Sequence, residues 1–354
     1  MAHLRPGDPD PRPESSGRDR AQLLLLAGFA LAAVFVAFAF LLNSVIYTEN
    51  LATRGEAAKT SQAVIVVADT VAGTEAVVEY ANEHNATTYT DLENELTSGI
   101  ADIELLVGNQ HLASGGVVSV ELASYEQGTW VNQSYHERNF TAGGSTSDPD
   151  FVEDWTLFSG AEGVRAYRIH VTDTSKLEGI SPLDDGDAVH NFTVEATDSD
   201  GDTWTMQVFH DNTGIVDELS GSPYVVRTID GDGDRRFCSV DGSESSFWIN
   251  VSAGTVAGDD CRALRFGEDI GTVEEIRYEN GHQIYGTYRV MAAQSEGSLT
   301  TGSNYNATGT VPPHPNPPVT DPAIYNATVH VSFETDNLFY ETDRVVQPGE
   351  GDDA

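Results

Sequence analysis

Basic side chains are scarce in this chain. Of 354 residues only 18 are Lys or Arg, against 56 Asp and Glu, for a formal net charge of −38. Just two of the basic residues, Lys59 and Lys176, are lysines. A duplex or an anionic membrane surface repels such a chain, so the charge argues against a nucleic-acid partner. Cysteine is scarcer still, with Cys238 and Cys261 alone. They form no CxxC and stand near no His-x3-His, which removes the usual zinc patterns. HExxH, GxSxG, the P-loop and GxGxxG are all missing. His136 beside Glu137 and His210 beside Asp211 read as solvated surface pairs. The expectation is a protein that is not an enzyme and has no resident cofactor.

A long run that is both uncharged and apolar occurs once, from Leu23 to Leu42. A helix of that length spans roughly 30 Å, the hydrocarbon thickness of a bilayer. It exceeds the roughly 7–15 apolar residues of a secretory signal, and no small-x-small cleavage site follows. The expectation is a retained transmembrane helix over about 23–46. Arg5, Arg12, Arg18 and Arg20 precede it, whereas Arg54 and Lys59 alone follow closely. The positive-inside rule puts the N-terminus in the cytoplasm and the C-terminal domain outside the cell. The glycosylation acceptors Asn85, Asn132, Asn139, Asn191, Asn250, Asn306 and Asn326 all lie beyond the helix, as an exported glycoprotein requires. In that compartment Cys238 and Cys261 read as one disulfide stabilising by roughly 3 kcal/mol. Two reduced core cysteines are the alternative.

The patterning divides the rest. Residues 1–20 read as a disordered cytoplasmic leader or tail, and residues 21–85 as the transmembrane helix continuing into an extracellular helix. In that continuation Val64, Val67, Val71 and Val78 recur at the helical period. An amphipathic helix is predicted within 86–116, with Thr90 as N-cap and Glu93 at capping-box spacing. Its stripe is Leu92, Leu96, Ile100, Ile103 and Leu106 or Val107, and Gly115-Gly116 ends it. From residue 117 to 345 the period becomes two, in runs such as "VRAYRIHVTDT" and "VEEIRYENGHQIYGTYRVMAA". A Pro/Gly/Asn linker is expected at about 296–322 and an acidic tail at 346–354. The fold class is α+β: a long N-terminal transmembrane helix and a second helix, packed on a mostly antiparallel, β-sandwich-like ectodomain.

Two loops offer alternating carboxylates, Asp198, Asp200 and Asp202, then Asp230, Asp232 and Asp234. Such a spacing can wrap Ca²⁺, although neither loop completes an EF-hand. Aspartate-rich turns are the plainer reading. Trp130, Trp155, Trp204, Trp248, Phe247, Tyr285 and Tyr288 sit within strand-like runs. They read as sheet core, with a glycan-binding face as the other reading.

Acid excess, low lysine and retained arginine resemble proteins of halophilic archaea. The stretch "DRAQ" before a long apolar run resembles the N-terminus of archaeal type IV pilins and archaellins. That resemblance implies cleavage between Ala21 and Gln22. The freed helix would then pack its Ala- and Gly-rich surface against pilin-like subunits or other surface proteins. No Glu follows within the run, and the head is larger than a main filament subunit needs. The resemblance therefore implies a minor, pilin-like subunit. The alternatives are an uncleaved single-pass surface protein that binds a glycan or partner, and a membrane-tethered hydrolase.

Overall fold

The computed structural model describes residues 35, 61–84, 87–113, 115–142, 152–177, 179, 191–211, 223–264, 272–301 and 318–347. The uncharged run apart from Phe35, the Ala21–Gln22 junction, residues 1–20, Asn85, Asn306 and the tail beyond Gln347 lie outside these. The chain divides into two compact units, Met1–Ile65 and Val66–Ala354. Helix α1 (Ser61–Glu83) begins in the first and continues into the second.

By length and composition α1 is a candidate membrane span, and a third of it is buried. From Val66 onward its buried face is Val66, Val67, Thr70, Thr74, Val78 and Ala81. Val64, expected on the apolar stripe, is exposed instead. Thr70 and Thr74 take the core positions, and the Thr74 hydroxyl donates to the Thr70 carbonyl at 2.8 Å. Thr74 is thereby satisfied by its own preceding turn, whereas the buried Thr70 hydroxyl has no partner among the described residues.

Helix α2 (Tyr89–Leu112) buries Leu92, Leu96, Ile100, Ile103 and Val107, with Leu106 exposed. Its cap is Thr88, two residues before the expected Thr90. The Thr88 side chain accepts from the Asp91 N–H at 3.2 Å and donates to the Asp91 carboxylate at 2.7 Å. Thr88 can cap because its backbone is extended, φ −142° and ψ 153°, as an N-cap requires. The two helices approach closely through glycines. A Cβ on Gly99 would lie 2.4 Å from Val77 Cγ1, and one on Gly73 3.1 Å from Ile103 Cγ1.

Beyond the helices the described chain is antiparallel sheet. The strands are β1 (Val117–Gln133), β2 (Trp155–Phe158), β3 (Val164–Val171), β4 (Phe192–Asp198), β5 (Thr203–His210), β6 (Tyr224–Ile229) and β7 (Arg235–Val240). They continue with β8 (Phe247–Asn250), β9 (Thr255–Val256), β10 (Asp259–Asp260), β11 (Val273–Glu279), β12 (Gly286–Ala292), β13 (Val319–Thr335) and β14 (Leu338–Val346). One sheet has the order β10-β9-β8-β3-β12-β1-β13-β14, the other β2-β11-β4-β5-β6-β7. Both sheets feed one core, with Ile169, Val290 and Val131 from the first and Val194, Met206, Val226 and Tyr278 from the second. The α+β class and the antiparallel pairing agree with the period-two runs. β13 starts at Val319, inside the stretch read as linker, and Pro322 stands opposite Thr129 in its ladder.

Two observations explain how the pieces are held. Cys238, in edge strand β7, is bonded to Cys261, which directly follows edge strand β10. The disulfide therefore ties an edge of one sheet to an edge of the other. At the far side, β14 pairs with β13 only as far as Ala327↔Val346. Past that point the Asn82 amide of α1 takes over, donating to the Ile324 carbonyl at 2.9 Å and accepting from its N–H at 2.7 Å.

The acidic loops are hairpin turns built twice in one way. Asp198 Oδ1 accepts from the N–H groups of Asp200 and Asp202, and Asp230 Oδ1 from those of Asp232 and Asp234. Gly201 and Gly233 supply the left-handed residue at φ +88° and +85°. The leading carboxylate of each loop caps its own turn. Among the described residues no three His, Cys, Asp or Glu side chains form a metal-ligand group.

Replacing Asn82 by Ala should lower stability by about 1–3 kcal/mol, because it orphans both groups of Ile324. Asn82→Asp, which keeps the acceptor alone, should fall between in thermal melts. Replacing Cys238 and Cys261 together by Ser should cost about 3 kcal/mol in denaturant titrations.

Candidate binding site on the outer face of the eight-stranded sheet

The alternation of β3, β8, β12 and β1 separates two rows of side chains. Ile249, Ile169, Tyr288 and Gln133 lie in register across the sheet and are buried. The neighbouring row, Asn250, Arg168, Arg289 and Asn132, is also in register and points to the opposite face. Two residues along, Trp248 stands opposite His170, and His170 opposite Thr287. β12 can approach β3 this closely because residue 286 is glycine: a Cβ there would lie 1.8 Å from the His170 carbonyl oxygen.

These rows floor a cavity of about 440 Å³. Asn132, Gln133, Ser134, His136, Arg168, Trp248, Thr287, Tyr288, Arg289 and Asp321 line it. Its volume falls in the range of small-ligand pockets. Trp248 is 44% exposed and stacks on His170, with ring centroids 4.2 Å apart and planes 9° from parallel. His136 meets His170 edge-on at 6.0 Å. The Arg289 guanidinium lies 3.7 Å above the Trp130 ring, a cation–π contact. Asn132 Nδ2 donates to Asp321 Oδ2 at 3.0 Å.

Charge in this cavity is unbalanced. Arg168 and Arg289 are cross-strand partners, and like charges directly opposite destabilise a sheet. Burial and the neighbouring Arg168 lower the Arg289 pKa to about 10, partly offset by Glu83 and Asp321. Arg289 therefore stays charged at neutral pH. Burial, and then His136, lowers the His170 pKa below its ordinary value. Gln133 adds a further demand. It is 1% exposed, and its amide donates to the Asn139 and Gly286 carbonyls at 3.3 and 2.9 Å. Its Oε1 has no partner among the described residues.

The other residues singled out in the sequence lie elsewhere. Trp155, Trp204 and Phe247 are core, and Lys176 sits over the half-buried Tyr285 ring at 6.0 Å. Three acceptor asparagines correct the expectation of exposed glycosylation sites. Asn139, Asn191 and Asn326 are 2%, 4% and 8% exposed. Asn139 accepts from Thr141 at 2.8 Å, and Asn326 donates to Glu126 at 2.5 Å. Each sits on or beside a strand, so the folded backbone covers its amide. Asn132 and Asn250 are half-exposed.

A family model described as a family of unknown function (DUF7261) matches residues 17–147. That span takes in α1, α2 and β1 and ends before β2. It reaches Asn132, Gln133, Ser134 and His136 of the cavity but none of its arginines. No curated protein matches the chain.

Arg168, Arg289, Gln133, His170 and Asp321 were not marked by any motif. The one signal was arginine and histidine at polar positions of "YRIHV" and "TYRV" in a chain that has so few basic residues. By NMR, His170 should titrate below the ordinary histidine range. His330, whose Nδ1 lies 2.7 Å from the Asp343 carboxylate, should titrate above it. The signs differ accordingly. The His170 contribution to stability is full above the unfolded pKa near 6.5 and is lost as pH falls through its folded value. The His330 contribution is full below that pKa and is lost as pH rises through its folded value. Asp343→Asn should return His330 towards the ordinary value and leave His170 unmoved.

Proposed function

We propose that this chain is a membrane-anchored surface protein that presents a non-enzymatic binding head outside the cell, with its N-terminal helix acting as a pilin-like part. The observation that carries this reading is the place of α1. The first described helix after the apolar segment is a structural part of the head, joined to α2 at Gly99 and to β13 through Asn82. An apolar segment in the sequence followed by a helix built into a β-rich head suits both a minor pilin-like subunit and a displayed single-pass protein. The disulfide supports an oxidising compartment. The positive flank before Leu23 supports a cytoplasmic N-terminus. The acid excess supports a salt-rich habitat, where repulsion is screened within about 3 Å at 1 M.

The second reading, an uncleaved surface protein that recognises a glycan or partner, is favoured by the lined cavity itself. A hydrolase fits less well, because the cavity carboxylate Asp321 is already engaged by the Asn132 amide.

Terminal peptide sequencing of the membrane-bound protein separates these readings. The pilin-like one expects a mature chain beginning at Gln22. Recovery of residues 1–20 on the membrane form would leave the single-pass reading in its place. Protease shaving of intact cells should release head peptides in either case, and their retention would refute surface display.

A further inference from the structure

We infer that the cavity on the eight-stranded sheet is a binding site for a carboxylated sugar, such as a uronate residue of an acidic polysaccharide. The inference deepens the view of the head as a binding module and does not depend on cleavage of the leader.

Three features of the cavity each select one property of the ligand. The first is the arginine pair. Arg168 and Arg289 face each other across β3 and β12. Arg168 makes no hydrogen bond or ion pair among the described residues, whereas Arg289 lies over Trp130 and feels the opposing charges of Glu83 and Asp321. A carboxylate lying between the two guanidiniums would relieve their repulsion and accept planar, paired N–H bonds. The second is Trp248, which leaves nearly half its surface open while its other face rests on His170. An open ring so fixed fits the flat apolar face of a pyranose. The third is the polar lining around the pair: Asn132 and Thr287 stand on the same outward strand face as the arginines, Asp321 lines the same space, and all three can bond sugar hydroxyls, which a bare anion lacks.

The site also suits strong salt. Long-range attraction to two arginines disappears at molar ionic strength, but contact pairing and ring stacking persist. The geometry therefore favours a saccharide held by contact over a polyanion drawn in by field.

The test uses the full-length chain in detergent and molar KCl, with trigalacturonate as probe. Calorimetry and Trp fluorescence should show saturable binding. Methyl-esterified trigalacturonate should bind at least tenfold more weakly. Arg168→Gln and Trp248→Ala, both at partly exposed positions, should each weaken binding about tenfold, with Arg168→Lys between. Near-UV circular dichroism confirms that each variant is folded. Equal affinity for the methyl ester, unchanged binding by folded Arg168→Gln, or no binding by the parent chain would overturn the assignment. So would acetate or inorganic phosphate binding as tightly as the trisaccharide, since the site would then take any small anion.

Discussion

Strand β13 must find partners for its backbone groups along its whole length, and most of the architecture follows from how it does so. On one side β1 accompanies it from Val117↔Glu334 to Asn132↔Val319. On the other, β14 covers the stretch from Ala327 to Thr335 and then ends. A buried peptide group without a partner is costly, so something else must cover what remains. Asn82 does this at Ile324, where its side-chain amide copies the donor and acceptor of a strand. Pro322, which has no N–H to offer, falls in the stretch β14 does not reach, where a proline is tolerated. The register shift that brings Gln127 opposite Ile324 and leaves Tyr325 as the extra residue belongs to the same arrangement. Tyr325 is turned towards Arg165, whose guanidinium lies 5.0 Å from its ring.

Arginine has a particular place in so acidic a protein. Arg227 is buried, bonded to Gln207 at 2.9 and 2.6 Å, with Phe209 beneath it at 5.3 Å. Arg165 rests on Tyr325 and Arg289 on Trp130. Aromatic faces meet all three of these cations, and an amide bonds one of them. Exposed ion pairs contribute little and are screened by salt, whereas a guanidinium over a ring within the sheet is shielded from solvent ions. Other strand arginines, Arg236 and Arg277, pair with the carboxylates of Asp230 and Glu279 instead.

Much of the local structure was legible in the chain. Alternation marked the strands, the stripe from Leu92 to Val107 marked α2, and the chain's two cysteines marked one bond. Most of what stayed hidden was decided by contacts distant in sequence, and the α2 cap by a local choice of backbone conformation. Thr88 displaced Thr90 as cap because only the former has extended backbone and reaches Asp91. Thr70 and Thr74 entered the core of α1 while Val64 stayed out, because burial depends on where α2 and β13 lie. Acceptor asparagines became buried where strands were laid over them. The cavity was least visible of all. It exists only once β3 and β12 align Arg168 with Arg289, and a shift of one residue would turn either arginine into the core.

The long β1–β13 ladder also gives the head a direction of strength. A pull delivered along α1 enters the sheet at Ile324, partway along β13, rather than at the end of a hairpin. The hydrogen bonds from Val117 to Asn132 then carry the load together, in shear, instead of opening one after another like a zipper. At the opposite edge the bond between Cys238 and Cys261 stops the two sheets from peeling apart.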